Sequence, residues 1–255
     1  MITTRFLLLP GLLISIGITI AIASEPKPGQ YIRDRAMGTL DIRRDADNKL
    51  VFEIQSLGSN GHICSPAGTI EGAIGRTDED DPEFRCEIAF DSEGSAITVH
   101  PISDNECRSE CGARGSFDGV YRAPPASCTS STIEAQRKKF LVLYRNRQYP
   151  DAEKVLDNLT AGCDIFMSWI EIDELRNDLA LSQYRNDQYA QCLATINKTT
   201  AGQALDEQRL KKSLTPFDFD NYIEIAKATW FNKSLCLRAL EKNGRPARQA
   251  PATSR

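Results

Sequence analysis

The densest group of reactive side chains is the acidic run Asp78-Glu-Asp-Asp81, continued by Pro82 and Glu83. Clustered carboxylates suit a hard cation, but a calcium loop alternates its ligands as D-x-D-x-D-G, and that alternation is missing. The run therefore reads as a solvated loop between strands, whose charge can steer a basic protein partner. His100 stands close to Ser103 and Asp104, the residue types of a hydrolytic triad, yet neighbours at one strand end do not converge on a point. Glu171, Glu174 and Asp178 lie at helical spacing, as paired carboxylates for acid–base work would, but a solvated helix face is the ordinary reading. Gly-x-Ser-x-Gly, His-Glu-x-x-His and glycine-rich phosphate loops are absent. These features predict a protein without catalytic residues and without a cofactor or metal.

Eight cysteines remain: Cys64, Cys86, Cys107, Cys111, Cys128, Cys163, Cys192 and Cys236. Only His62 and His100 could join them in a zinc site, and no Cys-x-x-Cys is present. An even count after an apolar leader is the pattern of an exported, oxidised protein. The leader is Met1 to Ala23, with one cation at Arg5, an apolar run from Phe6 to Ile22, and the small-x-small pattern Ala21-Ile-Ala23 that predicts cleavage before Ser24. An uncleaved anchor is the alternative reading of the same run. The expected location is the periplasm, free of the membrane once the signal is removed.

The 232 residues beyond the leader exceed one small domain. Residues 24–127 carry 11 Lys and Arg against 19 Asp and Glu, a net charge of −8, whereas 128–255 carry 19 against 16, a net +3. Pro124-Pro125 marks the join. The cations are scattered among acids in a chain of net charge −4, which disfavours nucleic acid as a partner.

The first unit alternates with the period of strands. Leu40 and Ile42 alternate with Asp41 and Arg43, Asp45 to Lys49 has turn chemistry, and Leu50, Phe52 and Ile54 resume the alternation, which predicts a hairpin. Phe84, Cys86, Ile88 and Phe90 share one face before a turn at Asp91–Gly94 leads to Ile97 and Val99, a second hairpin. About six short strands of an antiparallel barrel or sandwich are expected, with Phe117 and Tyr121 packing inward from a glycine-rich closing segment that also carries Arg114. Within this unit the favoured pairings are Cys64 with Cys86 and Cys107 with Cys111, with other connectivities open.

The second unit reads as helices. Tyr144-Arg-Asn-Arg-Gln-Tyr149 returns forty positions on as Tyr184-Arg-Asn-Asp-Gln-Tyr189, with Leu141, Ala152 and Leu156 matched by Leu181, Cys192 and Ile196. Each copy predicts a helix, a turn and a second helix, and such pairs stack to bury a face that neither buries alone. Ser130–Thr132 caps the first helix, Tyr149-Pro150 opens the second, and Ala152, Val155, Leu156 and Leu159 form its apolar stripe. A last long helix starts at Thr215-Pro216 and reaches about Leu240, with residues 244–255 as a disordered tail. Cys192 and Cys236 lie on packing faces and pair across the last helix, leaving Cys128 with Cys163. The fold class is thus α+β: an antiparallel β-domain followed by an all-α repeat domain, stapled by disulfides.

Tyr149-Pro-Asp-Ala152 resembles the start of the second helix of a tetratricopeptide repeat. Cys192 departs from the small residue expected in the second copy, the first helix lacks the family's tryptophan and glycine, and the offset is 40 rather than 34. The resemblance implies a binding scaffold, on which Tyr144, Arg145, Tyr184 and Arg185, with Arg137 and Arg176, would line a concave face, while the spacing of Tyr144 and Tyr184 is also that of residues packed at the helix turns. Residues 36–122, through strand rhythm, paired cysteines and Cys111-Gly-Ala-Arg114, resemble small secreted bacterial β-domains, among them periplasmic lysozyme inhibitors. That resemblance brings no functional residue with it. Together these readings predict a protein-binding protein. The first expectation is an inhibitor or immunity protein acting on a basic cell-wall hydrolase or delivered toxin through Asp78, Asp80, Asp81 and Arg114. The second is an envelope adaptor holding a peptide on its repeats.

Overall fold

The computed structural model describes residues 24–244, so the leader and the tail after Gly244 lie outside the described residues. The first unit contains β1 (Gly29–Arg33), β2 (Gly38–Arg44), β3 (Leu50–Leu57), β4 (Ile63–Cys64), β5 (Ala67–Glu71), β6 (Ile74–Thr77), β7 (Glu87–Glu93), β8 (Ala96–Pro101) and β9 (Gly119–Arg122). Eight of these, all but β4, pair antiparallel with their chain neighbours, and β9 pairs back to β1 through Ile32↔Arg122 and Arg33↔Tyr121. The result is a closed up-and-down barrel, which leaves no long free edge. β4 adds two residues alongside the end of β3.

Period-two alternation sends Leu40, Ile42, Leu50, Phe52, Ile54, Ile88, Phe90, Ile97 and Val99 into one interior. Phe52 and Phe90 meet there with ring centroids 5.2 Å apart. Gly75 makes room for them, because a Cβ at that position would lie 2.5 Å from the Phe90 ring and 2.8 Å from Phe52. Phe117 and Tyr121 are buried as expected, the Tyr121 hydroxyl donating to the Phe117 carbonyl at 2.8 Å.

Four expectations about this unit need correction. The strands number more than six because β1 and β9, short and flanked by irregular chain, close the barrel. β7 continues through Glu93, so its turn comes at Gly94 (φ 61°), later than the Asp91–Gly94 signal. Phe84 does not share the inward face of Cys86 and Ile88: it ends a 3-10 turn, Pro82–Phe84, and is 62% exposed. The disulfides are Cys64–Cys111 and Cys86–Cys107, not Cys64–Cys86 and Cys107–Cys111. The reason is the short helix α1 (Asp104–Ser109), which holds Cys107 one turn beyond Ser103, against the strand start at Glu87. Cys111 follows that helix and forms an antiparallel bridge with Cys64 on β4.

From β9 the chain passes Pro124-Pro125 and a 3-10 turn, Ala126–Cys128, into α2 (Ser130–Arg145), α3 (Tyr149–Gly162), α4 (Trp169–Arg185), α5 (Tyr189–Ile196), α6 (Thr200–Gln203), α7 (Glu207–Ser213) and α8 (Pro216–Gly244). Thr129 caps α2 and a reciprocal Ser168–Glu171 capping box opens α4. The two repeat copies turn identically: Arg147 and Asp187 both sit at φ 60°, with Gln148 and Gln188 each donating their backbone N–H back into the preceding helix. α3 buries Ala152, Val155, Leu156 and Leu159. Cys128–Cys163 ties the entry of α2 to the end of α3, and Cys192–Cys236 ties α5 to α8, as expected. Four disulfides befit an oxidising, secreted or periplasmic setting.

α4 is the spine of this unit. Its buried Asp173 accepts from the Tyr222 hydroxyl (2.8 Å), the Thr200 N–H (2.7 Å) and Arg176 (3.0 Å), while Asn177 donates to Thr229 (2.8 Å) and accepts from Asn232 (3.0 Å). A satisfied buried network of this kind fixes how α8 lies on α4. The helical unit also touches the barrel. The β1–β2 turn packs near the 3-10 turn Asp164–Phe166, and Phe217 at the start of α8 donates its N–H to Asn60 at 3.4 Å. Gly61 (φ 76°) lies flat against the Phe217 ring, where a Cβ would come within 2.9 Å.

Candidate functional site

Antiparallel alternation puts the β1–β2, β3–β4, β6–β7 and β8–β9 connections at one end of the barrel. The β6–β7 connection is the acidic run. Asp78, Glu79, Asp80 and Asp81 are all exposed. Asp81 caps the turn Pro82–Phe84 by accepting the Glu83 N–H at 3.0 Å, a local signal that Asp-Pro already carried. Arg85 reaches back and donates to the Glu79 carbonyl at 2.7 Å and toward that of Asp80 at 3.5 Å. Cys86, the next residue, is bonded to Cys107. The loop is therefore pinned at its backbone while its carboxylates and the Phe84 ring face solvent.

The charge at this end exceeds what the run alone supplies. Glu110, just after α1, has its carboxyl pushed above the usual range, first by burial and then by the nearby Glu79 carboxylate. Asp104 and Glu106 add carboxylates from α1. An exposed aromatic in an acidic rim suits a partner that offers an apolar slot among cations. Sequence reasoning missed Phe84, Arg85 and Glu110, because their roles follow from the turn and from α1. Among the described residues no group of three His, Cys, Asp or Glu side chains is placed to hold a metal ion. Arg114 is exposed on the closing segment, and its carbonyl lies where a Cβ on Gly58 would approach to 2.3 Å.

The other candidate residues form a second, separate cluster at the hairpin turns of the helical unit. Tyr144 meets Tyr149 edge-on at 5.2 Å and Tyr184 meets Tyr189 in a tilted pair at 5.5 Å, so each copy carries a ring pair at the same place. Arg185 joins the copies: its guanidinium lies 6.0 Å from the Tyr184 ring centroid, and the neighbouring Tyr144 hydroxyl makes it hold its proton more firmly still. The tyrosines are half-buried by this packing, whereas Arg145 and Arg185 are exposed. Arg137 and Arg176 are engaged instead in pairs with Glu174 (2.9 Å) and Asp173 (3.0 Å). A groove of 510 Å³ runs between α3, α4 and α5 past Glu153, Asp157, Gln183 and Lys198. Of the four arginines expected on a concave face, Arg176 alone lines it.

No helix among the described residues is long and apolar enough to cross a membrane. No known protein family, curated protein or solved structure matches the chain.

Proposed function

We propose that this is an exported binding protein that inhibits another protein, a basic cell-wall hydrolase or a delivered toxin, by presenting the loop Asp78–Phe84. The observation that carries the reading is the way the loop is held: Arg85 and the Cys86–Cys107 bond fix its backbone, and Asp78, Glu79, Asp80 and Phe84 project outward. A preorganised loop binds with little ordering cost, and its charge raises the association rate with a cationic target. The resemblance of residues 36–122, in strand rhythm, paired cysteines and Cys111-Gly-Ala-Arg114, to periplasmic lysozyme inhibitors agrees with this use, as does the reading of residues 1–23 as an export leader cleaved before Ser24. In this reading the helical unit, with its tetratricopeptide-like turns, supports the barrel.

The test is inhibition of basic cell-wall hydrolases from an envelope extract, measured as clearing of a cell-wall suspension. The unaltered protein should slow one of them, and Phe84→Ala or Asp78→Lys with Asp80→Lys should lose that effect while folding normally. Equal inhibition by all forms would overturn the reading.

An adaptor that holds a peptide along the α3–α5 groove is the second reading, favoured by that groove's mixture of Glu153 and Asp157 with Arg176 and Lys198.

A further inference from the structure

The turn that joins β1 to β2 is built at a cost. Arg35 and Ala36 both adopt left-handed backbone, φ 59° and 50°, and Met37 donates its N–H to the Asp34 carbonyl at 3.4 Å. A hairpin turn with two left-handed residues ordinarily takes Asn-Gly or Asp-Gly, because a larger side chain there crowds its own backbone. An arginine in that position needs a reason beyond making the turn.

Its surroundings supply one. Arg35 lines a 360 Å³ pocket between the barrel and the helices, and Arg176 of α4 and Lys198 of the α5–α6 connection line the same pocket. Three separate segments thus deliver cations to one cavity. Arg35 and Lys198 form no ion pair within 4.0 Å among the described residues. Two carboxylates share the cavity. Asp173, in its floor, is already satisfied by Tyr222, Thr200 and Arg176, and Asp164 is exposed. Asp157, in the adjoining groove, is the other carboxylate close to Lys198. Trp169 forms part of the wall, its ring fixed against Tyr222 with centroids 4.7 Å apart.

We infer that the pocket between the two units is a binding site for a compact oxyanion, a phosphate or carboxylate group held by Arg35 and Lys198 beside Trp169. An arginine kept in left-handed backbone then trades some stability of the turn for a positioned guanidinium, whose planar fork matches such a group. The site stands independently of the inhibitory loop, which occupies a different barrel connection.

The purified protein would be titrated with inorganic phosphate and, separately, with malonate at constant ionic strength held by chloride, following tryptophan emission. Trp169 is one of only 2 tryptophans, so occupancy should register. A saturable change with phosphate alone assigns the site to phosphoryl groups, with malonate alone to carboxylates, and with both to oxyanions generally. Lys198→Gln should weaken binding about tenfold, the loss expected of one charge-assisted contact. Arg35→Asn should weaken it as much while raising the melting temperature, since asparagine accepts left-handed backbone readily. Lys49→Gln, at the opposite end of the barrel, should change neither quantity. The inference is overturned if neither anion gives a saturable response, or if the Arg35→Asn and Lys198→Gln proteins bind as tightly as the original.

Discussion

Asp178 on α4 gives a sharp test of how the helices are packed. It lies half-buried on α4, close to the Arg137–Glu174 pair, and its pKa is pushed up from 3.8 to about 6. Burial is the main cause, with Glu174 adding to the rise and Arg137 opposing it. Because the folded chain holds this proton more tightly than the unfolded chain, the native state binds more protons between those two values, and stability falls as pH rises through that window. Below the window the group is neutral in both states and imposes no cost. Above it the ionised carboxylate is held in a poor environment. Each tenfold change in proton affinity corresponds to about 1.4 kcal/mol, which sets a ceiling of about 3 kcal/mol. Partial solvent access reduces that to about 1–2 kcal/mol. Asp178→Asn, which keeps the shape and removes the charge, should therefore stabilise the protein by about 1–2 kcal/mol near neutral pH, equivalent to about 3–6 °C in melting temperature. The gain should vanish near pH 4, where the native carboxyl is neutral. Urea unfolding followed by far-UV circular dichroism at several pH values measures it. If the variant is equally or less stable at neutral pH, attraction to Arg137 outweighs burial and the assigned sign is wrong.

Other perturbations probe the remaining parts. Peptide mapping without reduction should recover Cys64 joined to Cys111 and Cys86 to Cys107, and a Cys107–Cys111 peptide would contradict the placement of α1. Tyr222→Phe removes a hydroxyl that donates to Asp173 and accepts from the Ala201 N–H, so it should cost about 1–3 kcal/mol, read from the unfolding midpoint. No loss would mean that the network does not hold α8. Gly75→Ala forces a methyl group to within 2.5 Å of the Phe90 ring and should destabilise the barrel by about 1–3 kcal/mol, with near-UV circular dichroism reporting the disturbed aromatic pair.

Much of the architecture was legible because hydrophobic period and turn chemistry agreed. Leu40, Ile42, Leu50, Phe52 and Ile54 announced the first hairpin, and the Asp45–Lys49 turn fixed its register. The doubled Tyr-Arg-Asn-x-Gln-Tyr phrase marked both helical hairpins, and both turn at a left-handed residue before the glutamine. What escaped were features that tertiary context decides. β1 and β9 are too short to show alternation and exist because closing the barrel satisfies their backbone groups. α1 spans six residues between polar neighbours, and without it the cysteine pairs could not be assigned. Phe84 looked like a core residue because its spacing from Cys86 and Ile88 was that of a strand, but Pro82 ends the strand pattern and turns the ring outward. The acidic loop was visible as a charge run, whereas its rigidity depends on Arg85, whose contacts are with backbone carbonyls and leave no trace in composition. Arg35 was invisible for a similar reason, since only the backbone angle shows that its position is costly.

Affinity for a captured basic hydrolase, measured by surface plasmon resonance over a range of salt concentrations, sets the acidic loop directly against the helical turns. If the loop is the inhibitory element, replacing Asp78, Asp80 and Asp81 with Lys should slow association and flatten its salt dependence, and Phe84→Ala should speed dissociation, while Arg145→Glu with Arg185→Glu leaves both rates unchanged. Binding untouched by the loop changes and abolished by the two arginine reversals would contradict the inhibitor reading and place recognition on the helical repeats.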